Sequence, residues 1–415
     1  MSRRRPHTGD VPAATEDAAG TSPDVRTRPE DVSGREQAPE VAGGRDDAPS
    51  EAGRRSGDLA GSGLDGAPPG PGSQARLRPL PLAVAVGLLL AALLAGVLVG
   101  SAGLPVGGVL KALADRIPFV HADSGLGVID ENVLFQLRVP RALMAALVGG
   151  MLAVAGAGYQ GVFRNPLADP YLLGAAAGAG VGATLVIALV PGDPGYGVPL
   201  AAFAGAICGV ALAYLLGSAA TGRGNGTATL VLAGVAVSSF LAAVQTLIQQ
   251  MKAEELQRIY SWILGGVGSA DWHQLALVFP YALVSTVVLL AHGRLLDVLS
   301  VGDEEAASLG LSAARVRLTV LVAASLATAS AVAVSGLIAF VGIVVPHLVR
   351  RLAGGSYRIV LPLSLLGGAA FLEVADLVAR TLIRPGELPL GVVTAFVGGP
   401  FFVAVLRASR RQVET

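Results

Sequence analysis

Residues 318–349 form a run of 32 positions without a single Lys, Arg, Asp or Glu. As one helix the run would extend about 48 Å at 1.5 Å per residue, against about 30 Å of bilayer hydrocarbon. A charge-free run of this length reads as membrane-embedded, and its excess length reads as a fold-back. Ser335-Gly336 lies near its middle, so the run predicts a tight hairpin of two helices, 318–334 and 337–351. Eight further apolar runs surround it: 80–101, 142–163, 171–190, 198–218, 229–250, 274–290, 359–380 and 388–407. The sequence therefore predicts an all-α polytopic transmembrane bundle of about ten helices, with both termini on one side.

Composition agrees once its unevenness is taken into account. Only 14% of the chain is charged, 53% is hydrophobic and mean hydropathy is +0.63; soluble domains carry roughly 25% charge. Residues 1–75 hold nine of the thirty basic residues and contain no Phe, Trp or Tyr. Such a segment cannot bury enough apolar surface to offset its ordering entropy. It is predicted to be a disordered cytoplasmic tail before a membrane domain over 76–410, and its length argues against a cleavable signal peptide. Zero net charge gives no reason to expect nucleic acid. The single cysteine, Cys208, supports neither an intrachain disulfide nor a four-thiolate metal site.

With the N-terminus in the cytoplasm, the flanks of the predicted spans hold thirteen basic residues inside and eight outside. That split favours this orientation. Arg138, Arg141 and Arg380 are among the outer eight.

Enzyme signatures are missing. The only lysines, Lys111 and Lys252, do not follow a glycine, so there is no P-loop; no HExxH motif occurs among the five histidines, and no serine elbow lies in a span. No catalytic, cofactor or metal residues are expected. Gly174, Gly178 and Gly182, and Gly205 and Gly209, have the four-residue spacing that lets membrane helices pack closely. Residues 164–170, Arg-Asn-Pro-Leu-Ala-Asp-Pro, read as a short cytoplasmic turn broken by two prolines. Residues 300–310 read as a short helix with a Ser300–Asp303 capping box and a Gly310 C-terminal cap. It is either a surface connector or a docking helix. Asp376 and Arg380, four apart, are expected to pair on one helix face. Glu373 is expected to face a polar pore, and His347 to serve interfacial packing or docking.

Together these segments resemble one family. Arg138-Val139-Pro140-Arg141, Gly149-Gly150, Gln160 and the 164–170 turn, then Gly302-Asp303-Glu304, Leu309-Gly310, residues 336–342, Pro346-His347, Asp376, Arg380, Glu387-Leu388-Pro389 and Gly399-Pro400-Phe401 are similar to the permease subunits of ABC importers for ferric siderophores, haem and vitamin B12. The resemblance spans about residues 80–407. It implies a homodimer in the bacterial cytoplasmic membrane, with the pore at the dimer interface. It also implies two ATP-binding subunits that carry ATP-Mg on the cytoplasmic face, and an extracytoplasmic substrate-binding protein outside. Gly302, Asp303, Glu304, Ala307, Leu309 and Gly310 would form the coupling helix, beside the loop of Arg164, Asn165, Pro166 and Asp169. Arg138, Arg141 and Arg380 would receive the binding protein's carboxylates, and Thr227, followed here by Ala228, would stand at an inner gate. Ferric siderophore is the first expectation for cargo, with vitamin B12 or haem as alternatives. An ion-coupled secondary transporter is the competing reading.

Overall fold

In a computed structural model, the described residues are 79–100, 103–192, 194–220, 227–383 and 386–413, all within one compact unit, Pro69–Thr415. The expected tail and its boundary at residue 75 lie outside the described residues. In chain order the helices are α1 (Pro79–Leu98), α2 (Val106–Asp115), α3 (Val128–Phe163), α4 (Ala175–Leu189), α5 (Gly197–Ala220), α6 (Thr227–Met251) and α7 (Leu256–Ile263). They continue with α8 (Trp272–Ala291), α9 (Gly293–Val301), α10 (Asp303–Ser308), α11 (Ala313–Ser335), α12 (Val341–Ala353), α13 (Tyr357–Thr381) and α14 (Leu390–Val413). No strand occurs among the described residues. This is the arrangement bilayer physics demands: a helix satisfies its own backbone groups where no water can. Each of the ten predicted runs contains a helix among the described residues. Among the described residues seven helices are long and apolar enough to cross a membrane, while α4, with 15 residues, is shorter.

α3 is the axis of the bundle. Every residue from Val148 to Phe163 is buried, against α11, α12, α13 and α8. α1, α5, α6 and α8 keep most of their apolar surface outward, as lipid-facing helices do. The glycine stripes join α4 to α5: a Cβ on Gly178 would stand 2.1 Å from the Gly205 carbonyl oxygen, and one on Gly182 would stand 2.0 Å from that of Ala201. Only backbone fits there.

Three sequence expectations need correction. The second span does not begin at Ala142. α3 runs for 36 residues and passes through a π-helical stretch at Val133–Arg138, so Arg138 and Arg141 lie inside the helix rather than in a flank. The 318–349 run does fold back, but its second half is a 13-residue helix of about 20 Å, and residues 336–340 are not helical. The Ser300–Asp303 capping box does not form. Ser300 lies within the last turn of α9 and donates to the Asp297 carbonyl at 2.6 Å, while extended Gly302 precedes α10 without a side-chain cap.

Candidate functional site

Polar groups gather in two clusters along α3, one at its C-terminal end and one around Arg138 and Arg141, well inside its start. At the C-terminal end, Arg164 closes the helix in the left-handed region, φ 48°. The Asn165 carboxamide oxygen accepts the Leu167 N–H at 2.9 Å, and the Asp169 carboxylate accepts the Tyr171 N–H at 2.8 Å. These two local turns fold the 164–170 segment back against the bundle. The Arg164 side chain instead reaches across the chain. Its Nε donates to the Leu299 carbonyl at 2.7 Å, and its Nη2 pairs with Asp303. Asp303 also takes Arg317 Nη2 at 2.6 Å. One carboxylate therefore ties α3, α10 and α11 together. Burial pulls the Asp303 carboxyl upward, but the Arg317 and Arg164 guanidiniums outweigh it and hold it below the usual carboxylate range.

α10 rests on this tie with a single buried side chain, Ala306. Glu304, Ala307 and Leu309 face outward, Leu309 with 69% of its surface exposed. Gly310, at φ 76°, closes the helix with the Leu311 N–H on the Ala306 carbonyl at 3.0 Å, as the sequence predicts. Asp297 on α9 accepts the Tyr357 N–H at 2.5 Å and the Ser356 hydroxyl at 2.7 Å, capping α13. Arg350, near the end of α12, pairs with Gln160 of α3. Arg317 and Arg350 thus meet the same end of α3, so α11 leaves that end and α12 returns to it.

At the second cluster, Arg141 is the hub. Its Nε lies 3.1 Å from both Asp376 oxygens, its Nη2 lies 2.8 Å from Asp376 Oδ1, and Nη1 and Nη2 lie 3.0 and 2.9 Å from the Glu387 oxygens. Arg380 stands 3.3 Å from Asp376 and 3.6 Å from Glu373, so the expected Asp376–Arg380 pair is present. Arg138 donates to the Val97 and Leu98 carbonyls at the end of α1, at 3.0 and 3.1 Å. The structure thus gathers the three expected arginines in one cluster, but not as an outward basic patch. Arg138 and Arg380 are 5% and 4% exposed; Asp376, Glu373 and Glu387 lie against Arg141 and Arg380, while backbone carbonyls hold Arg138. Desolvated charges persist only when so compensated. Glu373 is fully buried beside Arg380 and Gly96 and does not face a pore. Glu387 is the exposed member, at 46%, and its hydrogen bonds from Arg141 hold its carboxyl below the ordinary range.

Asp376 and Tyr357 are nineteen residues apart on α13, about 28 Å along its axis, close to one hydrocarbon thickness. The two polar clusters therefore sit one bilayer core apart. Beside the Arg141 cluster, irregular backbone from three connections meets. The Gly266 N–H bonds the Ser335 carbonyl at 2.8 Å, and the Leu390 and Gly391 N–H groups bond Gly265 and Leu264 at 3.0 Å each. This junction lines an apolar cavity of about 460 Å³ with Leu264, Leu337, Ala339, Gly391 and Phe396. His347 stacks edge-on against Phe401, with ring centres 5.6 Å apart. Thr227 opens α6, and its side chain lies outside the described residues.

Sequence reasoning missed Asp297, Arg350 and the bidentate role of Glu387. Glu387-Leu388-Pro389 was visible as a motif, but its partner lies 246 residues away.

A helical bundle with two polar clusters one bilayer core apart, and seven helices long and apolar enough to cross a membrane among the described residues, is a polytopic membrane permease. The chain belongs to the FecCD transport family, whose profile matches residues 88–408. It is 40% identical over 331 residues to an uncharacterized ABC transporter permease protein, YvrB, of Bacillus subtilis (78% of this chain, 92% of the relative). It is 40% identical over 327 residues to the cobalamin import system permease protein BtuC of Halobacterium salinarum (79% and 86%). The hemin transport system permease protein HmuU of Yersinia pestis is 38% identical over 286 residues (68% and 85%). A solved inward-facing metal-chelate type ABC transporter superposes with a TM-score of 0.69 at 29% identity, covering 80% of this chain and all of that one.

Proposed function

We propose that this chain is the membrane-spanning subunit of an ATP-driven importer that carries ferric siderophores across the bacterial cytoplasmic membrane. The observation that carries the reading is the Arg164–Asp303–Arg317 tie, which fixes a small exposed helix to the central helix of a family permease. ATP-Mg belongs to two partner ATPases, which seat on α10 through Glu304, Ala307 and Leu309 and on the adjoining turn of Arg164, Asn165 and Pro166. The Arg164 end is then cytoplasmic, as are both termini, and the Arg141 end receives an extracytoplasmic binding protein. Two copies of the chain pair so that the pathway runs between them, and Thr227 stands at its inner gate. Relatives named for cobalamin and hemin transport make those the alternative cargoes.

The test is uptake into vesicles that hold the permease with candidate ATPases. ATP-dependent accumulation of a labelled iron chelate, absent without the ATPase, is expected. Accumulation that persists without any ATPase and follows an ion gradient refutes the reading. Labelled cobalamin taken up in place of the iron chelate reassigns the cargo alone.

A further inference from the structure

We propose that Glu387 is a built-in competitor at the docking site: it occupies the outward edge of the Arg141 guanidinium until a carboxylate of the incoming binding protein displaces it. The proposal rests on the docking reading above and adds a regulation to it. Arg141 has two usable edges, and the structure fills them unequally. The inner edge holds Asp376, whose side chain is 2% exposed, sits on α13 and also pairs with Arg380. The outer edge holds Glu387, 46% exposed and carried on the connection between α13 and α14. A buried carboxylate flanked by two guanidiniums is not exchangeable without leaving charge unpaired. A half-exposed ion pair contributes little, so another carboxylate of the same geometry replaces it at small net cost.

The site is thus basic at its core and lidded by its own acid. A neutral or basic partner gains nothing there, because only an acidic side chain compensates Arg141 once Glu387 leaves. The lid is also wired to the cavity. The same connection carries the Leu388 N–H on the Ala379 carbonyl at 2.9 Å, and the Leu390 and Gly391 N–H groups on Gly265 and Leu264 at 3.0 Å. Gly391 and Leu264 line the apolar cavity. Gly268, from the connection before α8, abuts both Glu387 and Arg141, so that an added Cβ would lie 3.5 and 3.6 Å from them. Glu387 is therefore carried on a connection whose backbone is also tied to the residues lining the apolar pocket.

The experiment uses the assembled transporter in lipid nanodiscs, titrated with the binding protein that supports its ATP-driven uptake. Glu387→Gln keeps the side chain's shape and removes its charge. The dissociation constant is expected to fall about fivefold, the equivalent of about 1 kcal/mol for such a pair, and the gain is expected to shrink as salt screens it. Glu387→Ala should move affinity the same way. Unchanged or weaker binding in both variants overturns the proposal. Arg141→Lys keeps a cation beside Asp376 but cannot hold two carboxylates in a fork. If Arg141→Lys leaves binding intact, the docking reading itself fails; if it weakens binding while neither Glu387 variant tightens it, only the competition fails. A partner-free measurement is phenylglyoxal labelling of the membranes, read by peptide mass. Arg141 should react several-fold faster in Glu387→Gln than in the native chain, and equal rates overturn the occupancy.

Discussion

Asp303→Asn tests whether α10 is held as a force-transmitting element. The substitution keeps the side chain's size and one acceptor oxygen but removes the charge that two guanidiniums share. Its contacts are partly wet, with side-chain exposures of 37% for Arg164, 22% for Asp303 and 19% for Arg317. The Arg164 pair is therefore discounted to about 0.5 kcal/mol, as for exposed pairs. The more sheltered Arg317 contact is worth about 1 kcal/mol, toward the range of a hydrogen bond to a charged group. The total, about 1.5 kcal/mol, is too small to unfold the bundle but comparable to the local stability of a six-residue helix anchored by Ala306. Hydrogen exchange of the 303–311 amides should then accelerate roughly tenfold, while amides of α3 stay protected. In the assembled transporter, ATP hydrolysis should persist while transport per ATP falls. The sign with pH follows from the depressed Asp303 carboxyl: the tie is intact above the ordinary aspartate range, near pH 4, and is lost as pH falls through the lower folded value. The native chain should thus show the same exchange acceleration only under strong acid. Unchanged exchange at 303–311 in the variant, together with unchanged coupling, refutes the argument.

Four further outcomes are expected. Asp376→Asn leaves Arg141 and Arg380 short of a buried counter-charge and should cost about 3–5 kcal/mol, read as a large loss of thermal stability in detergent; Glu387→Gln should cost under about 1 kcal/mol in the same assay. Gly182→Val drives a side chain into the Ala201 carbonyl and should cost about 1–3 kcal/mol or more through forced separation of α4 and α5, visible as early unfolding in mixed micelles. Tyr171→Phe removes the hydroxyl that accepts the Ile338 N–H at 3.1 Å and donates to its carbonyl at 2.9 Å. With Ile338 1% exposed, the orphaned N–H should cost about 1–3 kcal/mol, and exchange at 336–340 should rise.

Much of the fold was legible because membrane chemistry forbids so much. A run with no ionisable group and too many residues for one crossing had to turn, and it turns next to Ser335-Gly336. The Asp376–Arg380 pair was legible because helical periodicity alone brings residues four apart onto one face. Where α3 begins was not legible. Counting charge-free residues ends a span at its first arginine, yet Arg141 stays inside the helix because Asp376, 235 residues away, neutralises it. The Ser300 cap failed for a local reason: α9 continues one residue past Ser300 to Val301, so its hydroxyl turns back to its own helix. The exposure of the three arginines was misread because residue type shows charge but not which carboxylate folding will bring beside it.

The central helix carries a mechanical consequence. Arg141 and Arg164 are twenty-three residues apart on α3, about 35 Å at 1.5 Å per residue, and the length between them is gripped on all sides by Val148 to Phe163 packing. A rod so held does not bend to absorb a push; it tilts. Rotation by about 5° around one end displaces the other by about 3 Å. That distance is as large as the hydrogen bonds at either terminus are long, so a tilt of this size is enough to make or break them.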